Sequence, residues 1–356
     1  MVNCLYYCDW YEQYTADLVL AVAAGPDTPS LIVREQAPEF TWQGRPQDGV
    51  AVRRRLRAGV RNLQIVGGGY WSPRSLPQIH RMVRQSHADL FHLQQTGDPR
   101  FLWTAFRMPT VLTLHEPFSR PGLYRKPTGR RVAVDAVTWA YRRFSNLIVV
   151  HTETGYRSLS AMEKRKAVVI PHGVKITAVD TPSDSKTILF FGRADGYKGL
   201  DTLLAAMQTV WKSVPDARLQ ILASRGEFQH QVSDDRVTAT WTDYSEAELH
   251  TALSHARAVC LPYTTVSGSG VGAQAYGAGK PIVASNLEGL RELVSHKELL
   301  VEPGEVDDLA RALLLVLVRD YGAQPIDPER TWPGVARAHL SAYEEMLSRT
   351  KQRPLR

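Results

Sequence analysis

The chain has 356 residues, 44% hydrophobic and 22% charged, with a formal net charge of +7. That balance is ordinary for a soluble globular protein, and the length makes two domains the natural expectation. No apolar run approaches the roughly 20 residues that a bilayer span needs. The stretch from Met1 to Cys8 lacks the basic head and long apolar core of a secretory signal, so a cytoplasmic protein is expected. Cys4, Cys8 and Cys260 are odd in number and contain no Cys-x-x-Cys pair, which points away from a disulfide frame or zinc site and predicts buried free thiols.

Short apolar runs alternate with amphipathic stretches, the pattern of parallel sheets flanked by helices. In chain order, strands are predicted at 3–8, 30–33, 90–93, 110–114, 147–150 and 167–170, with helices at 16–24, 76–85, 131–144 and 154–160. The polar, proline-containing stretch 177–185 reads as a linker. A second series follows, with strands at 187–191, 218–222, 237–240, 258–261, 281–284 and 299–301. Its helices are predicted at 200–214, 245–255, 271–277, 289–294 and 306–319. A last helix, near 333–349, has no strand after it and is expected to pack back on the first domain. The fold class is therefore α/β, with two doubly wound Rossmann-like domains at 1–178 and 186–332 facing across a cleft, and 333–356 as the C-terminal helix.

Charge divides unevenly between the halves. Residues 1–178 carry 24 Lys and Arg against 13 Asp and Glu, while residues 179–356 carry 19 against 23. The basic half is densest at Arg53-Arg54-Arg55-Leu56-Arg57 and at 125–131, which suggests a phosphorylated acceptor or an anionic membrane surface, with a plain solvated face as the alternative. Nucleic acid is not expected, because the basic runs lack interleaved aromatics. Trp139, Tyr141 and Phe144 beside Arg142 and Arg143 form either an interfacial face or helix-core aromatics.

Ligands of open parallel sheets bind beyond the carboxyl ends of strands. Asp9 and Trp10, Gln94 and Gln95, His115 and Glu116, His172, Arg193, and Ser267 and Ser269 all fall just past predicted strands. In Phe191-Gly192-Arg193-Ala194-Asp195-Gly196-Tyr197-Lys198-Gly199, the glycines permit tight turns. Arg193 offers a two-pronged grip on phosphate and Lys198 a compact charge, or else both make structural salt bridges. The helix start at Ser269-Gly270-Val271 presents N–H groups unencumbered by side chains, which suits an anion. There is no Gly-x-x-x-x-Gly-Lys-[Ser/Thr] loop and no Gly-x-Gly-x-x-Gly after the first strand, so neither ATP hydrolysis nor NAD binding is supported. His115-Glu116 is not completed to His-Glu-x-x-His, and no metal or other cofactor is expected.

These residues resemble glycosyltransferase family 4, retaining enzymes of the GT-B fold. Phe191-Gly192-Arg193 through Lys198-Gly199-Leu200-Asp201-Thr202-Leu203 is similar to the family's donor-phosphate segment. Val168-Val169-Ile170-Pro171-His172-Gly173-Val174 resembles its Ile-Pro-Asn-Gly-Val stretch, and Asp89-Leu90-Phe91-His92 and Thr113-Leu114-His115-Glu116 resemble two of its strands. The resemblance implies that His115 lies near the transferred sugar and that Arg193 and Lys198 bind the donor diphosphate. Counting back from Gly279-Lys280-Pro281, the family's two glutamates are replaced by Val266 and Gln274. Gln274 retains hydrogen-bonding capacity toward a ribose; Val266 has no acidic function. The chain instead looks like the family's Ser-Gly-Val variant, in which Ser269, Gly270 and Val271 offer hydroxyl and backbone N–H to donor phosphate, with Gly192 as a further donor-binding candidate. The family's glycine pair after the first strand is replaced near Tyr14-Thr15, a candidate for acceptor or loop contacts.

The expectation is a retaining, metal-independent hexosyltransferase that moves sugar from a UDP- or GDP-sugar to a hydroxyl of a saccharide or lipid-linked saccharide, as in polysaccharide biosynthesis. Peripheral attachment at the inner face of the plasma membrane remains open. A nucleotide-sugar epimerase or hydrolase, or a noncatalytic nucleotide-sugar-binding protein, are the alternatives on this fold.

Overall fold

The computed structural model describes residues 2–8, 12–26, 29–34, 56–57, 60, 62–67, 71–115, 117, 129–177, 179, 184–224, 234–266 and 268–351. They form two units: the described residues up to Gly173 together with those from Trp332 on, and Val174–Thr331.

In the first unit Cys4–Cys8 (β1), Ser30–Arg34 (β2), Asn62–Val66 (β3), Leu90–Gln94 (β4), Thr110–Leu114 (β5), Leu147–Val150 (β6) and Ala167–Val169 (β7) make one parallel sheet, ordered β3-β2-β1-β4-β5-β6-β7. Side chains of alternate parity enter opposite faces, and both faces are covered. Cys4 and Tyr6 join Leu90, Val111 and Val149 in one core. Leu5 and Tyr7 join Phe91, Leu93, Leu112 and Ile148 in the other. The first of these cores is closed by two helices, Glu12–Ala23 and Trp332–Lys351. The latter buries Val335, His339, Tyr343 and Met346, a stripe at helical spacing.

The second unit repeats the plan. Thr187–Arg193 (β8), Arg218–Ser224 (β9), Val237–Thr240 (β10), Ala258–Leu261 (β11), Ile282–Ser285 (β12) and Leu300–Val301 (β13) form a parallel sheet ordered β10-β9-β8-β11-β12-β13. Ile188 and Phe190 point into one core and Leu189 and Phe191 into the other. In both sheets the order reverses beside the first strand, at β1/β4 and at β8/β11. The helices that follow those strands pack on opposite faces, and open parallel sheets take ligands at the carboxyl edge of such a reversal.

Three local features depart from the expected elements. Strand β3 and the helix Leu102–Arg107 were not legible: β3 is a sheet edge interrupted by Asn62 and Gln64, and the helix is too short to show a period. The single helix expected at 154–160 is two, Glu153–Arg157 and Ala161–Lys164, because Ser160 and Glu163 form a capping box that starts the second. Chain belonging to the second unit begins before the expected linker: the Val174 N–H donates to the Arg330 carbonyl (2.8 Å) and the Thr177 N–H to the Gly277 carbonyl (2.9 Å). All three cysteines are buried and none is in a disulfide. Among the described residues no helix is long and apolar enough to cross a membrane.

Candidate functional site

In the second unit, two loops at the β8/β11 edge fit together backbone against side chain. The chain leaves β8 through Gly192 at φ +109°, where a Cβ would stand 2.8 Å from Val271 Cγ2. Gly199, at φ +68°, is tighter still, since a Cβ there would come within 1.9 Å of the Pro262 carbonyl oxygen. Only glycine satisfies both the dihedral and the space. Between them the turn Gly196–Lys198 carries Lys198 inward, to 7% exposure. Its Nζ sits 3.9 Å from the centroid of the Tyr263 ring and 5.2 Å from that of Tyr197, a cation held on aromatic faces.

Tyr263 also reaches the second loop. Its Oη lies 3.3 Å from Ser269 Oγ, which accepts the Gly272 N–H at 3.0 Å and caps the helix Gly270–Gly277. The earlier N–H groups of that helix have no intrahelical acceptor. A Cβ on Gly270 would meet nothing within 4 Å. Lys198, Ser269, Gly270, Val271 and Gly192 are therefore brought together. Gln274 is exposed on the same helix, while Val266 is buried in the core beside Val271 and Tyr276. Arg193, half exposed at the end of β8, pairs with Asp195 through Nε (3.1 Å to Oδ2) and Nη2 (3.2 Å to Oδ1). Lys280 of the Gly-Lys-Pro segment is structural: it is buried, and its Nζ donates to the Ala256 carbonyl at 2.9 Å.

The first unit's edge is built from uncharged rings. Gln94 ends β4, His115 follows β5, and His151 follows β6; His172 comes three residues past β7. His115 Nε2 is 2.8 Å from Gln94 Oε1, its Nδ1 is 3.2 Å from His151 Nε2, and His151 Nδ1–H donates to the Ile170 carbonyl at 3.0 Å. Tyr14 is the hub: its buried ring meets those of His115 (4.7 Å), His151 (5.0 Å), His172 (5.0 Å) and Trp332 (5.1 Å). Thr15 beside it is buried as well. Below this layer His92 lies between Tyr343 Oη (2.6 Å) and Thr113 Oγ1 (2.7 Å) and stacks on His339.

Burial holds all these rings neutral. Desolvation, then the neighbouring His151, pushes His115 well below the ordinary histidine range. Desolvation and His172 lower His151 to about 3. His92 and His172 are lowered by burial too, and His339 falls to about 4. Among the described residues no group of three or more His, Cys, Asp or Glu is arranged to hold a metal ion. Asp9, Trp10, Glu116 and Ser267 lie outside the described residues, as do Arg53, Arg54, Arg55 and most of 125–131.

Sequence reasoning missed His151, His92, His339 and Trp332. His151 was within reach, since it follows its strand as directly as His115 does; His339 and Trp332 belong to a helix remote in sequence. The aromatic face resolves residue by residue. Tyr141 is core, with its hydroxyl donating to the Asp98 carbonyl, and Arg142 pairs with Glu163. Trp139 (64% exposed) and Phe144 (43%) face outward.

Comparison with known proteins gives these two edges a context. Residues 12–178 match the family model described as Glycosyltransferase Family 4, and residues 185–319 match that described as Glycosyl transferases group 1. The chain belongs to glycosyltransferase family 4. This glycosyltransferase is 26% identical over 313 residues to a phosphatidyl-myo-inositol mannosyltransferase of Mycobacterium leprae, covering 76% of this chain and 78% of the relative. It is 25% identical over 380 aligned positions to a D-inositol 3-phosphate glycosyltransferase of Corynebacterium urealyticum, covering 88% and 87%. Among solved structures, sucrose-phosphate synthase from Thermosynechococcus elongatus superposes with TM-score 0.62 at 18% identity, covering 99% and 98% of the two chains. TarM from S. aureus superposes with TM-score 0.64 at 9% identity, covering 98% and 100%. At such identities the structural likeness establishes the fold, which is GT-B, and the family membership establishes sugar transfer.

Proposed function

We propose that this glycosyltransferase takes its sugar from a nucleoside diphosphate and retains the anomeric configuration without a metal ion. The observation that carries this reading is the withdrawal of Lys198 onto Tyr263, next to the open start of the Gly270–Gly277 helix. A buried lysine beside unsatisfied N–H groups is a ready anion site, and a diphosphate matches its charge. Arg193 joins it by exchanging Asp195 for phosphate oxygen. Gln274 takes the ribose hydroxyls, and His115 takes a hydroxyl of the transferred sugar.

In the reaction the acceptor oxygen bonds to the anomeric carbon while the bond from that carbon to the phosphate oxygen breaks. The acceptor proton passes to the departing phosphate oxygen. Charge growing on the diphosphate is met by Lys198, Arg193 and the helix N–H groups in a site emptied of water. Val266, buried where the family carries a glutamate, leaves the sugar without a carboxylate at that point. Tyr14, whose ring packs against those of His115, His151 and His172, and its neighbour Thr15 belong to the acceptor side of the site.

Both relatives named above act on inositol compounds bearing phosphate, which, with the basic first half, favours a phosphate-bearing or lipid-linked acceptor at an anionic membrane surface. The donor nucleotide is UDP or GDP. Thermal shift against UDP, GDP, ADP and TDP tests the site, because a bound ligand raises apparent stability. A rise with one of them, lost in Lys198→Ala, supports the assignment; no response to any of the four would overturn it. The buried Val266 favours one competing reading, a nucleotide-sugar binder without transfer. Product analysis with labelled donor separates the two.

A further inference from the structure

The geometry points to His151 as a positioning residue that sets the tautomer of His115, holding His115 Nε2 as a hydrogen-bond acceptor. The sugar-hydroxyl role built on it rests on the reading above; the tautomer itself does not. The argument begins at a group with no choice. The Ile170 carbonyl can only accept, so the proton of His151 is on Nδ1. His151 is neutral, held far below the ordinary histidine range by burial and by His172, so its Nε2 carries only a lone pair. That lone pair faces His115 Nδ1 at 3.2 Å, and His115 must therefore supply the proton. His115 is itself neutral, which leaves its Nε2 unprotonated.

The opposite arrangement, with His115 Nε2–H donating to Gln94 Oε1 at 2.8 Å while Nδ1–H still donates to His151, would demand a second proton on His115. In a buried layer already shared by His92, His172 and His339 that charge is unfavourable. The two ends of a glutamine amide are alike in size, so Gln94 meets the unprotonated nitrogen by presenting its amino group and turning its oxygen toward His92. Tyr14 fixes the plane of the ring: its contact with His115 is edge-on, at 85°.

The consequence is chemical selectivity. The unprotonated Nε2, on exchanging the Gln94 amino group for substrate, accepts from a hydroxyl and repels the oxygen of a phosphate or carboxylate. The edge of the first unit thus reads O–H groups, such as those of the transferred sugar.

Protein labelled with nitrogen-15 in its histidines, without any ligand, gives the test by long-range proton–nitrogen correlation, with the His115 signal identified by its loss in His115→Gln. Neutral His115 protonated at Nδ1 is expected. His151→Leu removes the acceptor and shifts His115 toward Nε2–H, whereas His151→Gln, whose amide both accepts from His115 and donates to Ile170, preserves Nδ1–H. An imidazolium or Nε2–H form in the parent protein overturns the proposal, as does an unchanged tautomer in His151→Leu. Should His151→Leu fail to fold, the parent spectrum and His151→Gln still decide. In a transfer assay, His151→Leu is expected to lower kcat about tenfold with the donor KM held, and His151→Gln to restore it. The expected tautomers without any transfer would refute the proposed function while leaving this inference standing.

Discussion

The two units share one architecture and equip the same sheet edge in opposite ways. In the first unit the carboxyl ends of β4, β5 and β6 carry Gln94, His115 and His151, all uncharged and mutually hydrogen-bonded. In the second, the loops after β8 and β11 carry Lys198, Arg193 and a helix start, and glycines take the place of side chains. Hydroxyl recognition needs directed lone pairs and protons, which neutral rings provide when burial forbids their charging. Binding an anion needs positive potential and close backbone approach, which a sheltered lysine and bare N–H groups provide. On the proposed function the same edge serves two chemistries, and the difference comes from what burial does to each kind of side chain.

The heaviest blow to this contrast should come from Gly199→Ala. With a Cβ facing the Pro262 carbonyl at 1.9 Å and φ at +68°, the loops of the second unit must separate. A stability loss of more than about 3 kcal/mol is expected in urea unfolding; a loss below about 1 kcal/mol would show that the loops accommodate freely. Next is Lys198→Ala, expected to lower turnover about a hundredfold, or ~2.7 kcal/mol, in steady-state kinetics with the fold retained by circular dichroism. Turnover within about twofold of the parent would remove the charge from the account.

The neutral edge is probed by acid. His92, His115, His151, His172 and His339 have depressed affinities for protons, with His151 near 3 and His339 near 4. In the unfolded chain they titrate near 6.5, so between that value and their folded values the unfolded state binds more protons. Stability is therefore full above about pH 6.5 and is lost as the pH falls. Going from about pH 7 to pH 5 should cost about 2 kcal/mol for each ring that stays neutral. Urea midpoints at the two pH values check this, and His339→Leu should flatten the dependence if the protein folds with the same m-value. A midpoint independent of pH would mean that the rings are solvated.

Arg193→Ala should matter less than the lysine, because the guanidinium is half exposed and already paired with Asp195. About a tenfold loss of turnover, or ~1.4 kcal/mol, is expected. If it equals or exceeds the Lys198→Ala effect, the ranking by burial is wrong. The smallest change in stability belongs to Gly270→Ala, within about 0.5 kcal/mol, since its Cβ enters open space. It should nonetheless weaken nucleoside diphosphate binding by calorimetry, as a methyl group at the helix start crowds the approach of phosphate.

Much of this arrangement was legible before any coordinates. Parallel strands such as Leu147–Val150 announce themselves as apolar runs, and His115, Gln94 and Ser269 stand out because each directly follows one. Harder to read were features that depend on partners far away in sequence. Nothing near Lys198 indicates that Tyr263 will shelter it. The aromatic group at 139–144 shows the same limit: Tyr141 and Trp139 are equally apolar to a reader of sequence, yet one is core and the other exposed.

The linear order of residues by itself determined two doubly wound sheets, their strand ends and the chemical types gathered there, because hydrophobic periodicity and glycine placement are local properties. Tertiary structure alone decided that His115, His151 and His172 share one layer with Tyr14, over the buried His92 and His339. The protonation of each ring depends on desolvation and on neighbours contributed by different strands, so it exists only once the sheet has formed.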